Sequence, residues 1–265
     1  MKKIRVALSG SGFKFPVHVG ALIAIRDAGY QPIEYAGTSG GSIIAALAAC
    51  GLELDRMKEL TMGNDWSGMM SLSLGSVLRG RGYCDGNVLL GWLNEYTYHR
   101  TFSQLPVALT IMSSDINTAS PFKWSNVDTP DAPVALAARA SASIPFIYVP
   151  VEHNSTRSVD GGVQNNLPVL KLVQDDVLRV GIDLVSKETP MTSWSPFAVA
   201  GRLVGMMLDA AESTQALFGQ HSGAQIAYIE TGFASGLDRN MPLELRQKLF
   251  QAGYAETMRL LSNVQ

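Results

Sequence analysis

The sequence predicts an α/β protein in which helices flank both faces of a mostly parallel central sheet. Three observations support this fold class. Short apolar strand patterns alternate with helical patterns, glycine-rich turns follow the first two strands, and the helix after the second strand is apolar on every side. A helix of that kind is normally buried. We expect all 265 residues to form one domain, because no linker-like change in composition divides them.

Two strand–turn–helix units open the chain. The apolar run from Ile4 to Leu8 predicts a buried strand, and Pro16 suits the first turn of the helix that follows it. Gly29 supplies a stop before the second strand, and Gly51 closes the second, alanine-rich helix. The predicted elements of this part are strand 4–8, helix 16–28, strand 33–36, helix 42–50 and helix 53–60.

The rest of the chain continues the alternation of strands and helices. The β-branched and leucine-rich run 178–185 predicts a central strand, and Ser195-Pro196 is a typical helix start. The predicted elements are helix 85–95, strands 107–112 and 122–124, helix 132–142, a strand leading into Asp160, strand 178–185, helix 195–218, strand 225–229 and helix 242–261.

Residues 61–82 depart from this regular pattern. The segment carries five glycines, three methionines, Trp66 and the basic pair Arg79 and Arg81. Two interpretations stay open, a mobile cap over a site and an ordinary surface loop. As a cap, its combination of an apolar wedge with cations suits contact with an anionic membrane surface.

Composition and charge exclude several classes of protein. The net charge of −2 is spread along the chain without a Lys/Arg block, so we expect no nucleic-acid partner. Cys50 and Cys84 are the only cysteines, and no His/Asp cluster has ligand spacing. We therefore expect no disulfide framework, no metal and no other cofactor, and two cysteines agree with a reducing compartment.

The hydrophobic segments are too short for membrane insertion. The first apolar run stops at Ser9-Gly10, and no stretch approaches the length needed to span a bilayer. The sequence therefore predicts a cytoplasmic protein without a signal peptide or transmembrane helix, at most peripheral at membranes. Met206 and Met207 lie on the predicted long helix, where they suit either its own core or a contact in an oligomer.

A Gly-x-Ser-x-Gly stretch, residues 37–41, lies between the second strand and the second helix. The pattern is typical of a nucleophilic serine on a sharp strand-to-helix turn, where Gly37 and Gly41 keep side chains away from the crowded junction. It is equally typical of a glycine-rich turn in which Ser39 or Ser42 caps the helix. The motif alone leaves both interpretations open.

A nucleophilic serine needs a base, and Asp160 is the better candidate than any histidine. An aspartate followed by Gly161-Gly162 at the end of a strand faces its surroundings without crowding, although turn aspartates share this spacing. The histidines sit in no local pattern that favours a base: His18, His99, His153 and His221.

The glycine-rich loop after the first strand leads into a helix N-terminus. Amides of Gly10, Ser11 and Gly12 are therefore candidates to bind a phosphate or a developing oxyanion. A dinucleotide fingerprint would require a third glycine where Phe15 stands, which argues against a nucleotide ligand.

Four motifs in order resemble those of the patatin-like phospholipase family, and the similarity runs over nearly the whole chain. They are the loop 10–14, the serine stretch 37–42, the segment 139–145 and Asp160-Gly161-Gly162 with residues 165–168. The resemblance implies a three-layer α/β sandwich related to the α/β-hydrolases. It also implies a serine lipid acyl hydrolase of phospholipase A type that acts on phospholipids or related lipids.

The resemblance also assigns roles to individual residues. It implies Ser39 as nucleophile and Asp160 as its base, with no catalytic histidine. It places the oxyanion hole at the amides of the loop 10–13, which comprises Gly10, Ser11, Gly12 and Phe13, with help from Gly40. Lys14 takes the position of a basic residue that supports this loop. The family pattern has glycines at the positions of Ser11 and Phe15.

Two other functions remain open from the sequence. One is a non-catalytic module that binds a lipid or an anionic ligand at the glycine loop. The other is a carboxylesterase or transacylase that acts on small esters. The sequence does not specify the lipid headgroup, the acyl position or the oligomeric state.

Overall fold

An eight-stranded sheet forms the centre of the molecule. The computed structural model describes residues 1–70, 73, 83–186, 199, 202, 205, 206 and 214–264. The strands are β1 Lys2–Leu8, β2 Tyr30–Thr38, β3 Ala108–Asp115, β4 Ser120–Ser125, β5 Val151–His153, β6 Thr156–Asp160, β7 Leu178–Val185 and β8 Gln225–Glu230. The helices with full bounds are α1 Phe15–Asp27, α2 Ser39–Ala49, α3 Leu54–Gly63, α4 Asn87–Tyr96, α5 Val134–Ser141 and α6 Leu243–Ser262.

Five strands of the sheet are parallel, in the order β3-β2-β1-β7-β8. The other three are antiparallel additions at one end, where β4 and β6 pair with β3 and β5 pairs with β6. Parallel neighbours require crossovers, and α1 supplies the one between β1 and β2. The predicted α/β fold with a mostly parallel sheet is confirmed.

Apolar side chains of the sheet point alternately to two cores of unequal size. Ile4, Val6 and Leu8 of β1 face the larger core, which the helices α1, α2 and α6 help to fill. Ala7 faces the smaller core together with Val169 and other residues of the turn and helix that cover that side. Because side chains alternate along a strand, both faces of β1 are buried, as expected for a central parallel strand.

Strands β2 and β6 lie end to end along the same edge of β3. β2 pairs with β3 up to its last residue, Thr38, which lies opposite Met112. The next residue of β3, Ser113, lies opposite Asp160, the last residue of the antiparallel strand β6. The other edge of β3 is taken by β4 over both regions. The carboxyl ends of β2 and β6 therefore meet at one point of β3, and the residues that follow each strand become neighbours.

Most predicted elements are present, with shifted ends. Strand 178–185 has the predicted bounds, whereas α2 begins at Ser39 rather than at residue 42. Of the predicted long helix 195–218, the described residues 199, 202, 205, 206 and 214–218 are helical. The sequence analysis missed β5, since a three-residue strand gives no periodic signal.

Trp66 is not an exposed wedge, so the prediction of a membrane-inserting tryptophan in 61–82 is wrong at this residue. Its side chain is 3% exposed and packs edge-on against Phe15 and Trp92, with ring centroids 5.1 and 5.3 Å away. The free energy gained by burying this large aromatic side chain favours the packed position over an exposed one. Arg79 and Arg81 lie outside the described residues, and the mobile cap over 61–82 stays a prediction.

Candidate active site

Ser39 is the first residue of α2, on a sharp turn out of β2. Its φ of +50° lies in the left-handed region, which a residue with a side chain rarely adopts. The flanking glycines permit the turn to pack closely. A Cβ on Gly41 would lie 2.3 Å from the carbonyl oxygen of Ser9, and a Cβ on Gly37 would lie 2.7 Å from Cα of Ser42. This geometry is that of a nucleophile elbow.

The hydroxyl of Ser39 donates a hydrogen bond to the carboxylate of Asp160. Ser39 Oγ and Asp160 Oδ2 are 2.6 Å apart, and both residues are buried. Asp160 Oδ1 accepts a second hydrogen bond, 2.8 Å, from the amide of Gly162. The two bonds fix the carboxylate plane, so one oxygen faces Ser39 and the other is occupied by the backbone.

Burial raises the pKa of Asp160 to about 6, against the opposing effect of the hydrogen bonds from Ser39 and Gly162. Desolvation disfavours the carboxylate and makes it a stronger base than an exposed aspartate. A base with a pKa nearer to neutral accepts a proton from a hydroxyl more readily. The site therefore combines a short hydrogen bond between Ser39 and Asp160 with a carboxylate whose pKa is raised by burial.

Ser39 and Asp160 are brought together by the break in the edge of β3. Ser39 directly follows β2, and Asp160 is the last residue of β6; these two strands meet at this break. Gly161 has no room for a side chain at this junction, because its Cβ would lie 2.1 Å from the carbonyl oxygen of Met112. Packing at this junction therefore requires the glycine that follows Asp160.

The glycine loop after β1 packs directly on the N-terminus of α2. A Cβ on Gly40 would lie 2.3 Å from Ser11 Oγ and 2.4 Å from the carbonyl oxygen of Gly12. The amide of Gly10 donates to the backbone and side-chain oxygens of Asn166, and that of Phe13 donates to the carbonyl of Gly236.

Three other backbone amides near Ser39 lack the hydrogen bonds that the amides of Gly10 and Phe13 make. Among the described residues, the amides of Ser11, Gly12 and Gly40 make no hydrogen bond. Ser11 and Gly12 belong to the glycine loop, and Gly40 is the second residue of α2, where a helix amide has no partner inside the helix. Of the three residues, Gly12 and Gly40 also line the pocket beside Ser39.

Lys14 connects the glycine loop to the end of the sheet. Its ammonium donates a hydrogen bond of 2.9 Å to Thr231 Oγ1, just beyond β8, and the side chain is buried. The loop also closes on itself through a hydrogen bond from the Lys14 amide to the carbonyl of Ser11. This placement agrees with a role in supporting the loop.

None of the four histidines contacts Ser39 or Asp160 through a hydrogen bond. His18 Nε2 lies 2.9 Å from the carbonyl oxygen of Ser9, and burial lowers its pKa to about 3, so the ring is neutral. His153 packs against Trp124, and His221 Nδ1 lies 2.8 Å from the carbonyl oxygen of Leu217.

An apolar pocket opens beside Ser39. Its space of about 420 Å³ includes open solvent, and its walls are almost entirely hydrophobic. Sequence reasoning did not predict these walls, since they come from segments far apart in the chain. They include Phe13, Trp66, Leu89, Trp92, Ile144 and Tyr148.

The segment 139–145 contacts both members of the Ser39–Asp160 pair. Ser141 Oγ accepts a hydrogen bond of 2.8 Å from the amide of Ser39, and the carbonyl of Ser143 accepts one of 2.9 Å from the amide of Asp160. The sequence singled out this segment as a motif without giving either serine a role.

Within the described parts of the chain, no group of three or more His, Cys, Asp or Glu residues is arranged to hold a metal ion. None of the described helices has the length and hydrophobicity needed to cross a bilayer.

Comparisons with known proteins place this chain in a family. The patatin-like phospholipase family matches residues 6–173, more than half of the chain. An uncharacterised protein of Acanthamoeba polyphaga mimivirus is 24% identical over 94% of this chain and 90% of its own length. The human omega-hydroxyceramide transacylase is 31% identical over 62% of this chain, which is 31% of that protein.

Solved structures show the same fold at low identity. VipD from Legionella pneumophila superposes with a TM-score of 0.72 at 16% identity, covering 99% of this chain and 67% of VipD. ExoU of Pseudomonas aeruginosa, solved in complex with SpcU, gives a TM-score of 0.54 at 16% identity over 99% of this chain and 52% of its own. The structural likeness supports the three-layer α/β fold, and the family match over residues 6–173 shows that this chain belongs to the patatin-like phospholipase family.

Proposed function

We propose that this protein is a serine lipid acyl hydrolase of phospholipase A type, which cleaves fatty acyl esters of phospholipids or related lipids. Patatin-like proteins are generally lipid acyl hydrolases. The observation that carries the proposal is the 2.6 Å hydrogen bond from Ser39 on its elbow to the buried Asp160. A hydroxyl held on a raised-pKa carboxylate, beside an apolar pocket, is the arrangement that acyl transfer from a lipid requires.

In the proposed reaction Ser39 Oγ attacks the ester carbonyl while Asp160 Oδ2 takes the hydroxyl proton. The bond to the alcohol then breaks, and Asp160 returns the proton to the departing oxygen. The acyl group is now an ester of Ser39. A water molecule, deprotonated by Asp160, attacks this acyl-enzyme, and the fatty acid leaves as Ser39 regains its proton.

Ser11, Gly12 and Gly40 are the proposed oxyanion donors. The sequence-based proposal also included Gly10 and Phe13, but their amides already donate to Asn166 and Gly236. The N-terminus of α2 adds the positive end of the helix dipole at the same place. Fixed donors directed at developing charge are commonly the largest single contribution to catalysis by such sites.

The hydrophobic pocket is the proposed binding site for the acyl chain. Trp66, Trp92 and Phe15 form a contiguous aromatic wall, and Ser39 lies in the same lining. Burying an acyl chain here contributes about 0.8 kcal/mol per methylene group. An acyl chain in this pocket would bring its ester carbonyl to the serine.

Contact with a lipid surface is also part of the proposal, on a residue other than Trp66. Phe146 is 63% exposed and lies two positions beyond Ile144, which lines the pocket. An aromatic side chain held in water beside the pocket gains by entering the interfacial region of a bilayer.

The proposal is tested with purified protein and vesicles of mixed phospholipids. Released fatty acids are measured by mass spectrometry for the wild type, Ser39→Ala, Asp160→Asn and Ser125→Ala. Ser125 is a buried serine at the end of β4, so its variant controls for the loss of a hydroxyl elsewhere. We expect hydrolysis by the wild type and Ser125→Ala only. Full turnover by Ser39→Ala would rule the mechanism out.

A serine-reactive phosphonate distinguishes this enzyme from a non-catalytic lipid-binding module. The proposal requires a covalent adduct on Ser39 and none in Ser39→Ala. A wild type that binds vesicles but forms no adduct, under conditions that label a control esterase, is the result expected of a binding module.

Acyl transfer to an alcohol is a second candidate, favoured by the human relative, which is named a transacylase. The buried Ser39 beside an apolar pocket limits the access of water to the acyl-enzyme. Adding a long-chain alcohol to the assay and comparing new ester with free fatty acid separates the two. Fatty acid alone supports hydrolysis, whereas ester as the main product supports transfer.

A further inference from the structure

We propose that Ser141 is a positioning residue for the nucleophile. Its hydroxyl joins the Ser39 amide to the Met112 carbonyl and thereby sets the separation between Ser39 and Asp160. The inference rests on the proposed function, because it concerns the efficiency of the same dyad. Ser141 acts through the backbone of Ser39 and does not bond to the reacting oxygen.

The hydroxyl of Ser141 is used in both directions. Its oxygen accepts a hydrogen bond of 2.8 Å from the amide of Ser39, and its O–H group donates one of 2.6 Å to the carbonyl of Met112. The residue is fully buried at the end of α5. A hydroxyl that both donates and accepts in this way has a fixed rotamer, so it defines the position of the Ser39 backbone.

The position of this bridge follows from the topology of the sheet. β2 ends at Thr38 opposite Met112, and the chain then turns away into α2. The amide of Ser39 is the first of the helix and has no partner inside it. The side chain of Ser141 therefore links β3 to the chain just past the point where backbone pairing with β2 stops.

The same short segment also holds the base. The amide of Asp160 donates to the carbonyl of Ser143, two residues beyond Ser141. Arg139 is buried and fixes this segment, with hydrogen bonds of 2.5 Å to Ser143 Oγ and 3.1 Å to the carbonyl of Val149. The segment 139–145 thus positions both residues of the pair. It bonds to Ser39 through the side chain of Ser141 and to Asp160 through the backbone carbonyl of Ser143.

Removal of the bridge should affect catalysis more than substrate binding. The pocket walls and the proposed oxyanion amides do not depend on Ser141 for any hydrogen bond. A released Ser39 amide lets the left-handed turn relax and lengthens the bond to Asp160. Because the hydrogen bond from Ser39 opposes the rise in the pKa of Asp160, a longer bond raises that pKa further.

The test compares Ser141→Ala and Ser141→Cys with Ser125→Ala in full pH profiles of ester hydrolysis. We expect kcat of Ser141→Ala to fall roughly 10- to 100-fold, as for a small misplacement of reacting groups, while KM stays unchanged. The acidic limb of the profile should move to higher pH. Ser141→Cys keeps the volume and a weak donor, so its kcat should lie between wild type and Ser141→Ala.

Thermal unfolding of each variant separates positioning from a loss of stability. Equal activity of Ser141→Ala and Ser125→Ala, or an acidic limb that does not move, would overturn the inference. If Ser141→Ala does not fold, the kcat and pH limb of Ser141→Cys decide instead. Failure of the proposed function would look different, since the wild type would then neither hydrolyse esters nor react with the phosphonate at Ser39.

Discussion

The carboxylate of Asp160 accepts a hydrogen bond of 2.6 Å from the hydroxyl of Ser39, in a buried junction where no cation contributes to its raised pKa. The pair therefore depends on burial and on backbone hydrogen bonds for its chemistry. This dependence leads to testable predictions about pH and stability.

Hydrolysis should lose activity in acid with an apparent pKa near 6. Asp160 must be unprotonated to accept the proton of Ser39, and burial raises its pKa to about 6. We expect kcat/KM to fall as pH drops through that value and to reach a plateau above it. The profile is measured with a neutral ester, so that only groups of the protein titrate. A plateau that persists to pH 4 would contradict the role of Asp160.

Asp160→Asn should be inactive and yet more stable than the wild type at neutral pH. Because the folded pKa of Asp160 is raised, the folded state holds its proton more tightly, and stability falls as pH rises from about 4 to about 6. A shift of about two units corresponds to about 3 kcal/mol. Denaturant unfolding at pH 8 checks this value. At pH 4 the difference between the two proteins should shrink.

Gly40→Ala should reduce kcat by roughly 10²- to 10³-fold, the range seen on loss of an oxyanion donor. The added Cβ would lie 2.4 Å from the backbone carbonyl oxygen of Gly12, so the glycine loop must move away from α2. Gly91→Ala is the matched control, because a Cβ there meets nothing within 4 Å. The control should keep wild-type kcat. Steady-state kinetics of both variants with one ester provide the comparison.

Trp92→Leu should shift the preference of the enzyme toward longer acyl chains. Trp92 lines the pocket and closes the aromatic wall with Trp66, so a smaller side chain lengthens the space available. Tyr96→Leu serves as control, since Tyr96 packs on Trp92 at 4.9 Å outside the lining. Rates are measured on a series of esters that differ only in acyl length. The same profile in both variants would exclude this wall as the length limit.

Phe146→Asn should weaken sedimentation with phospholipid vesicles and raise thermal stability. The side chain is exposed and its φ is +69°, a conformation that asparagine tolerates better than phenylalanine. The relief of strain is worth about 1 kcal/mol. Val127→Asn removes another exposed apolar side chain, one that does not line the pocket, and should leave sedimentation unchanged. Equal binding by both variants would refute a lipid contact at Phe146.

The sequence predicted the pairing of Ser39 with Asp160, which a hydrogen bond joins in the structure, but not the framework that holds the two residues. Ser39 and Asp160 lie in short motifs with local signals, a Gly-x-Ser-x-Gly turn and an Asp-Gly-Gly turn. The proposed role of Ser141 depends on the end of β2 opposite Met112, where the Ser39 amide needs another partner. The local sequence around Ser141 carries no signal of a strand that ends about a hundred residues earlier in the chain. Such roles follow from tertiary pairing, which a single sequence does not display.

The error at Trp66 has a similar origin. A tryptophan among glycines and methionines fits a flexible surface segment, but its burial depends on Phe15 from α1 and Trp92 from α4. Strand 178–185, by contrast, was predicted with its observed bounds because a run rich in leucine and β-branched residues carries its own signal. Elements with local signals are predictable, whereas pocket walls assembled from distant segments are not.

The end-to-end placement of β2 and β6 along β3 constrains how this chain can change in length. Side chains alternate between faces, so deleting one residue within β6 would turn Asp160 to the opposite side of the sheet, away from Ser39. The turn between β5 and β6, where Asn154 has a φ of +53°, lies before this register begins. Insertions in this turn leave Asp160 on the same face of the sheet. Within β6, only insertions or deletions of an even number of residues would keep the Asp160 side chain directed toward Ser39.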